Sequence, residues 1–180
     1  MIKLAHLPYI DDPSQFLIAM TPEHHSRHLG QAYSFSTVFT SLATTTSVYI
    51  EIKTPSVAHD IAMKMIDITA DKIIRTDFYE SPTIATEGTT LVPLIQRNRR
   101  KTDTSHITIY SNPSGITGGI LLRTLLYGSG SSFTPLHNVN NDDNGWQLNP
   151  DTTYVIKFTN VGDSTSNLIG IHGLFFEVDR

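Results

Sequence analysis

The sequence predicts an all-β fold: a single-domain β-sandwich of jelly-roll type with an extended N-terminal arm. Three observations carry that prediction. Apolar residues recur with a period of two along about nine or ten segments. Turns rich in Gly, Pro, Asn and Asp separate those segments. No stretch holds a convincing helical period. At 180 residues the chain fits one domain, which we divide into an arm over 1–30 and a sandwich over 31–180.

Taken in order, residues 1–30 show no clean period. Pro8, Pro13 and Pro22 interrupt any helix, while Ile2, Leu4, Phe16, Leu17 and Ile18 are too apolar for a solvated tail. Such a segment suits an arm laid on its own domain or on a neighbouring subunit. From Tyr33 the period is two, with Phe35, Thr37 and Phe39 on the same face. After a turn at residues 43–46, Val48, Ile50 and Ile52 alternate with Tyr49, Glu51 and Lys53, and Pro55 ends the strand.

The stretch 61–69 suits helix or strand, and its β-branched end tips it to strand. A strand over 73–79, a loop between Ser81 and Gly88, and a turn over 111–115 follow. Residues 91–110 read as two apolar strands joined by a polar tip, a hairpin. Ile120 to Tyr127, apolar except for Arg123 and Thr124, reads as a central strand. Residues 128–145 form a long loop of linker composition. Trp146–Leu148 and Tyr154–Thr159 then predict a hairpin around Pro150. The last strand carries Leu168, His172, Leu174, Phe176 and Val178 on one face.

Composition excludes several functions. The chain has no Cys, hence no disulfide, thiolate nucleophile or Cys-ligated metal. Hydrophobic residues make up 39 % and charged residues 17 %, so the polarity comes from Thr, Ser and Asn. A net charge of −4 and a pI near 6.0 argue against bulk nucleic-acid binding. Nowhere do roughly 18 consecutive apolar residues stand together, so no membrane partner is expected. The stretch MIKLAHLPYIDDP is broken by Lys3, His6, Pro8 and two Asp residues and does not read as a signal peptide. The expectation is a soluble protein made in a cytosol.

Two clusters stand out. Arg97, Arg99, Arg100 and Lys101 place four of the chain's 13 basic residues within five positions. Arg forks match phosphate, but no aromatic is interleaved as single-stranded nucleic acid would need. Contact with an acidic neighbouring subunit and a solvated turn remain the other readings. His24, His25 and His28 lie in PEHHSRH. On one helical turn His24 and His28 would share a face, as two zinc ligands do, yet the Glu precedes the first His and no third ligand is visible. We expect no metal and no cofactor, and read these histidines as contacts.

Residues 140–151 follow calcium-loop spacing only loosely, with Asn140 first and Asp151 last. The run Gly128–Ser132 is not a nucleophile elbow, and there is no phosphate-binding or dinucleotide fingerprint. The expectation is therefore no enzyme. Trp146, beside a long polar loop, is a candidate ligand contact of the kind a sugar site uses.

Three of these stretches together resemble a family of small bacteriophage virion proteins, the capsid-decorating (cement) or head-fibre-like proteins. Residues 23–35, EHHSRHLGQAYSF, resemble that family's His-His-x-x-His-x-Gly-x-x-Tyr entry into its first strand, with His24, His25, Gly30 and Tyr33 matching. RNRR followed by TDTSHITIYSNPS resembles its Arg-Asn-Arg-Asn-Arg turn and strand, although Arg100 stands where a second Asn is usual. GWQLNPDTTYVIKFTNVG resembles its Trp-x-Leu hairpin ending in Thr-Asn. The match runs from about residue 22 to 176.

The resemblance implies a β-sandwich, assembled as a homotrimer, on the outer surface of a phage head and made in the bacterial host cytoplasm. The partner it implies is the major capsid protein, with Arg97, Arg99, Arg100, Lys101, His24, His25 and His28 as capsid or subunit contacts. A receptor- or glycan-binding module of a head or tail fibre is the alternative.

Overall fold

Period-two patterning becomes strand, and every ladder between strands is antiparallel. The computed structural model describes residues 22–56, 59–88, 90–92, 94–127, 145–162 and 167–179. Residues 1–21 of the expected arm (1–30), 128–144 of the expected loop (128–145) and 140–144 of the calcium-like spacing lie outside those residues. A short helix α1 (Pro22–Leu29) opens the described chain. It is followed by β1 (Ala32–Phe39), β2 (Ser47–Lys53), β3 (His59–Ala70), β4 (Ile74–Glu80), β5 (Thr83–Thr86), β6 (Thr90–Leu91) and β7 (Ile95–Gln96). Then come β8 (Thr108–Ser111), β9 (Ser114–Thr117), β10 (Ile120–Tyr127), β11 (Trp146–Leu148), β12 (Thr153–Asn160) and β13 (Ile169–Asp179).

One sheet has the order β11-β3-β13-β1-β7, the other β10-β4-β12-β2-β8-β6, and β5 with β9 forms a separate two-stranded ribbon. The chain passes from one sheet to the other between β1 and β2, β2 and β3, and β3 and β4, and again from β10 through β13. The core lies between the sheets. Phe35, Ile61, Ile171 and Phe175 come from the first, and Ile50, Ile52, Ile74, Phe78, Ile156 and Phe158 from the second. Burial of each such side chain contributes about 1.5–3 kcal/mol. The chain is thus an all-β sandwich of two antiparallel sheets.

Five local readings need correction. A helix does exist: Pro22 interrupts nothing at the first turn, where its missing N–H costs no bond. The halves of 91–110 do not pair. β7 pairs with β1 in one sheet and β8 with β2 in the other, so the basic tip joins the two layers. Likewise β11 pairs with β3 while β12 pairs with β2 and β4, so Pro150 and Asp151 (φ 48°) make a corner between sheets and not a hairpin. β10 is an edge strand, with Ile120, Leu121 and Leu126 all more than half exposed. The loop read over Ser81–Gly88 and the turn over 111–115 donate β5 and β9 to the ribbon.

Plain alternation along β13 divides its apolar residues between two faces, and the bulge opposite Leu174 and Phe175 lies on β3, where Lys64 is the extra residue. Ile169, Ile171 and Phe175 enter the main core, while Leu174 and Phe176 join Ala32 in a second, smaller cluster. Helix α1 packs against β1 and β13, the two strands that carry this cluster.

Candidate functional site

The sequence motif HHSRHLG ends α1 in a way that fixes what comes next. Gly30 adopts φ +82°, a left-handed conformation that glycine takes without strain. Its N–H donates to the Arg27 carbonyl at 3.2 Å, and the Gln31 N–H donates to the Ser26 carbonyl at 2.9 Å. This pair of bonds closes the helix C-terminus as a Schellman motif. Arg27 and His28 sit in the last turn, where positive charge complements the helix dipole. His24 and His28, one turn apart, bring their Nε2 atoms to 2.9 Å and their ring centroids to 4.7 Å. One ring nitrogen donates in that bond and the other accepts.

The basic tip docks directly on this helix end. The Asn98 side-chain amide donates to the His28 carbonyl at 3.0 Å, satisfying one of the acceptors a helix C-terminus leaves open. The Asn98 Oδ1 accepts from the Arg100 N–H at 3.1 Å, and the Asn98 carbonyl accepts from the Lys101 N–H at 3.0 Å. One asparagine thereby shapes the turn and clamps it to α1. The Arg97 N–H donates to the Ala32 carbonyl at 2.9 Å, continuing the ladder beyond β7. A Cβ placed on Gly30 would lie 3.0 Å from Cγ of Lys101, so the lysine stem lies against the glycine.

The far side of the tip is anchored by a buried carboxylate. Glu177 on β13 is 4 % exposed and accepts from the Ser105 hydroxyl, the His106 backbone N–H at 3.0 Å and His106 Nδ1 at 3.1 Å. The His106 ring stacks on His59 with centroids 4.1 Å apart. Gln96 Nε2 donates to the Asp103 carbonyl at 3.0 Å. The tip is held at both ends and exposed in between.

Two stretches 70 residues apart in the chain therefore form one end of the molecule. It presents Arg27, Arg97, Arg99, Arg100 and Lys101 together with His24, His25 and His28, all exposed. Among the described residues none of the five Arg and Lys side chains makes an ion pair. In a protein of net charge −4, this end gathers five Arg and Lys side chains, with the exposed Asp103 carboxylate beside Gly30 and the Lys101 stem as a nearby negative charge. Such a surface attracts acidic macromolecular faces and raises their association rate in a salt-dependent way.

Trp146 sits elsewhere. It is half-buried on β11, edge-on to Phe78 with centroids 5.7 Å apart, and packs against the main core. Among the described residues no three His, Asp or Glu side chains gather as a metal ion would need. Asn160, matched in the Thr-Asn motif, is fully buried; its amide donates to the Leu42 carbonyl at 2.9 Å and its oxygen accepts from the Gly162 N–H at 3.1 Å. That motif asparagine is structural.

Sequence reasoning missed Asn98, Arg27 and Glu177 as parts of the site. Arg27 was legible as a fourth basic residue in PEHHSRH; Glu177 gave no signal, since an isolated Glu in a terminal strand reads as solvent-facing. A scan against protein-family models and searches of curated proteins and of solved structures find no match.

Proposed function

We propose that this chain is a bacteriophage capsid-decorating (cement) protein, which binds the outer surface of the assembled head through its cationic end and stabilises the shell. One observation carries the reading: the histidine helix and the basic tip, singled out separately in the sequence, form a single exposed surface whose five Arg and Lys side chains make no ion pair among the described residues. The first 21 residues of the chain join the described part at the start of this same helix.

The strand order supports the jelly-roll form of the sandwich, with β13 between β3 and β1 in one sheet and β12 between β4 and β2 in the other. Viral capsid and lectin domains use that architecture. The partner is an acidic face of the major capsid protein, reached by a homotrimer whose second and third contacts become intramolecular and add avidity. Because the protein binds the assembled lattice and not free subunits, occupancy stabilises the shell by mass action.

The test is co-sedimentation with heads stripped of this protein, comparing the wild type with a variant carrying Arg97→Glu, Arg99→Glu, Arg100→Glu and Lys101→Glu. The wild type is expected to sediment with heads, less so as salt rises, and the variant to remain in solution. Equal sedimentation of the two would remove the cationic end from the binding reaction.

A further inference from the structure

The outer face of the second sheet carries a pocket of about 200 Å³, lined by Tyr49, Tyr79, Val155 and Lys157 from the sheet and by residues 116–118 at the end of β9. Its origin is visible in the register. Directly paired residues of antiparallel strands point to the same face. One outward row therefore runs Leu121, Tyr79, Val155, Glu51, Tyr110, and the next runs Thr124, Asp77, Lys157, Tyr49. Val155 forms a floor that is fully buried although it lies on the outer face. Tyr79 is the direct cross-strand neighbour of Val155 on one side, Tyr49 stands diagonally to it on the other, and Ile116, Thr117 and Gly118 supply one wall.

Lys157 lines the pocket, and two buried carboxylates lie on the same face: Glu51 beside Val155, paired with Lys53 at 3.5 Å, and Asp77 beside Lys157. Asp77 is the neighbour of Lys157 across the ladder, yet its two oxygens are taken: Arg75 Nε donates to Oδ2 at 3.0 Å and the Thr124 hydroxyl to Oδ1 at 2.8 Å. Among the described residues Lys157 makes no ion pair. Removal from water raises the Tyr79 hydroxyl above its ordinary value, and the Asp77 charge adds to this, so the phenol stays protonated as a donor.

We infer that this pocket is a binding site for one ring of an acidic sugar, a pyranose carrying a carboxylate. The volume suits a single ring. Tyrosine faces against an apolar floor take the C–H face of a pyranose, phenol and threonine hydroxyls take its hydroxyls, and the lysine pairs with the carboxylate. The site is independent of the cationic end and of Trp146, which does not line it.

The test uses the full chain, with D-glucuronate as probe and D-glucose and acetate as controls, followed by two-dimensional NMR. Glucuronate is expected to shift the resonances of Tyr49, Tyr79 and Lys157 saturably, with Kd on the order of 1 mM for a ligand of this size. Glucose is expected to bind about tenfold more weakly, the worth of one charge-assisted bond. Lys157→Gln should bring glucuronate down to the level of glucose, and Tyr79→Phe should weaken both sugars while leaving the spectrum of the core unchanged. Absence of saturable shifts, equal binding of glucuronate and acetate, or an unchanged affinity in Lys157→Gln would each overturn the assignment.

Discussion

Gly173→Ala tests the packing that holds the first sheet. Gly173 on β13 is directly opposite Phe35 on β1, and the Phe35 ring lies across the glycine. A Cβ at residue 173 would fall 2.1 Å from Cε1 of that ring, 2.8 Å from Cζ and 2.9 Å from Cδ1. Carbon contacts need about 3.5–4.0 Å, so the ring must move by roughly 1.5 Å. It has no room to do so: Phe35 is 1 % exposed and stacks on Phe175 with centroids 5.9 Å apart.

Overpacking alone costs about 1–3 kcal/mol, and full expulsion of a core Phe about 3–5 kcal/mol. The expected loss is therefore about 2–4 kcal/mol, a fall in Tm of roughly 5–15 °C for a chain of this size. Urea melts read by the single tryptophan will report it, since Trp146 packs against the core. In Phe35→Leu/Gly173→Ala the smaller side chain relieves the clash, so the double variant should lose less than the sum of the two single variants. A loss below about 0.5 kcal/mol for Gly173→Ala, or strict additivity in the double variant, would refute the placement of the ring.

Three further outcomes are expected. Glu177→Ala leaves the Ser105 hydroxyl and the His106 amide without their acceptor, and should cost about 2–4 kcal/mol while speeding amide exchange at His106. Unchanged exchange there would mean that the basic tip is held by other contacts. Stability should fall as pH rises above about 10. Burial raises Tyr127, Tyr154 and Tyr79, so the fold binds their protons more tightly than the unfolded chain; that stabilisation is complete below the unfolded value and is lost as pH climbs through the folded ones. Urea midpoints at pH 9 and 11 check this, and Tyr154→Phe should flatten the difference while losing the acceptor of the Asn149 N–H. Asn98→Ala should leave the global melt within about 1 kcal/mol but free the tip from α1, seen as faster backbone motion of Arg99 and Arg100 by NMR relaxation.

The strands were legible because their alternation is a local property. Val48, Ile50 and Ile52 against Tyr49, Glu51 and Lys53 already separate the core face of β2 from its outer face. Which sheet each strand joins is not local, and there the reading from sequence failed. Trp146–Leu148 and Tyr154–Thr159 are close enough in the chain for a hairpin, but Pro150 and the left-handed Asp151 turn the chain into the other layer. Ile120–Tyr127 reads as central because it is almost continuously apolar, yet it is an edge strand that exposes Ile120, Leu121 and Leu126 while Leu122 and Tyr127 pack on the core. The eight residues of α1 are too few to display a period, although Pro22 and Gly30 bracket it with ordinary start and stop signals. Of the cationic end, the residue types were legible in the sequence; the contact between His28 and Asn98 that unites them was not, because nothing local pairs positions 70 residues apart.

The measurement that bears most directly on the proposed function is the copy number of this chain per major capsid protein in the purified virions to which the proposal assigns it, by quantitative mass spectrometry. A decorating protein is predicted to be present in near-stoichiometric ratio. A handful of copies per particle, or none, would contradict it.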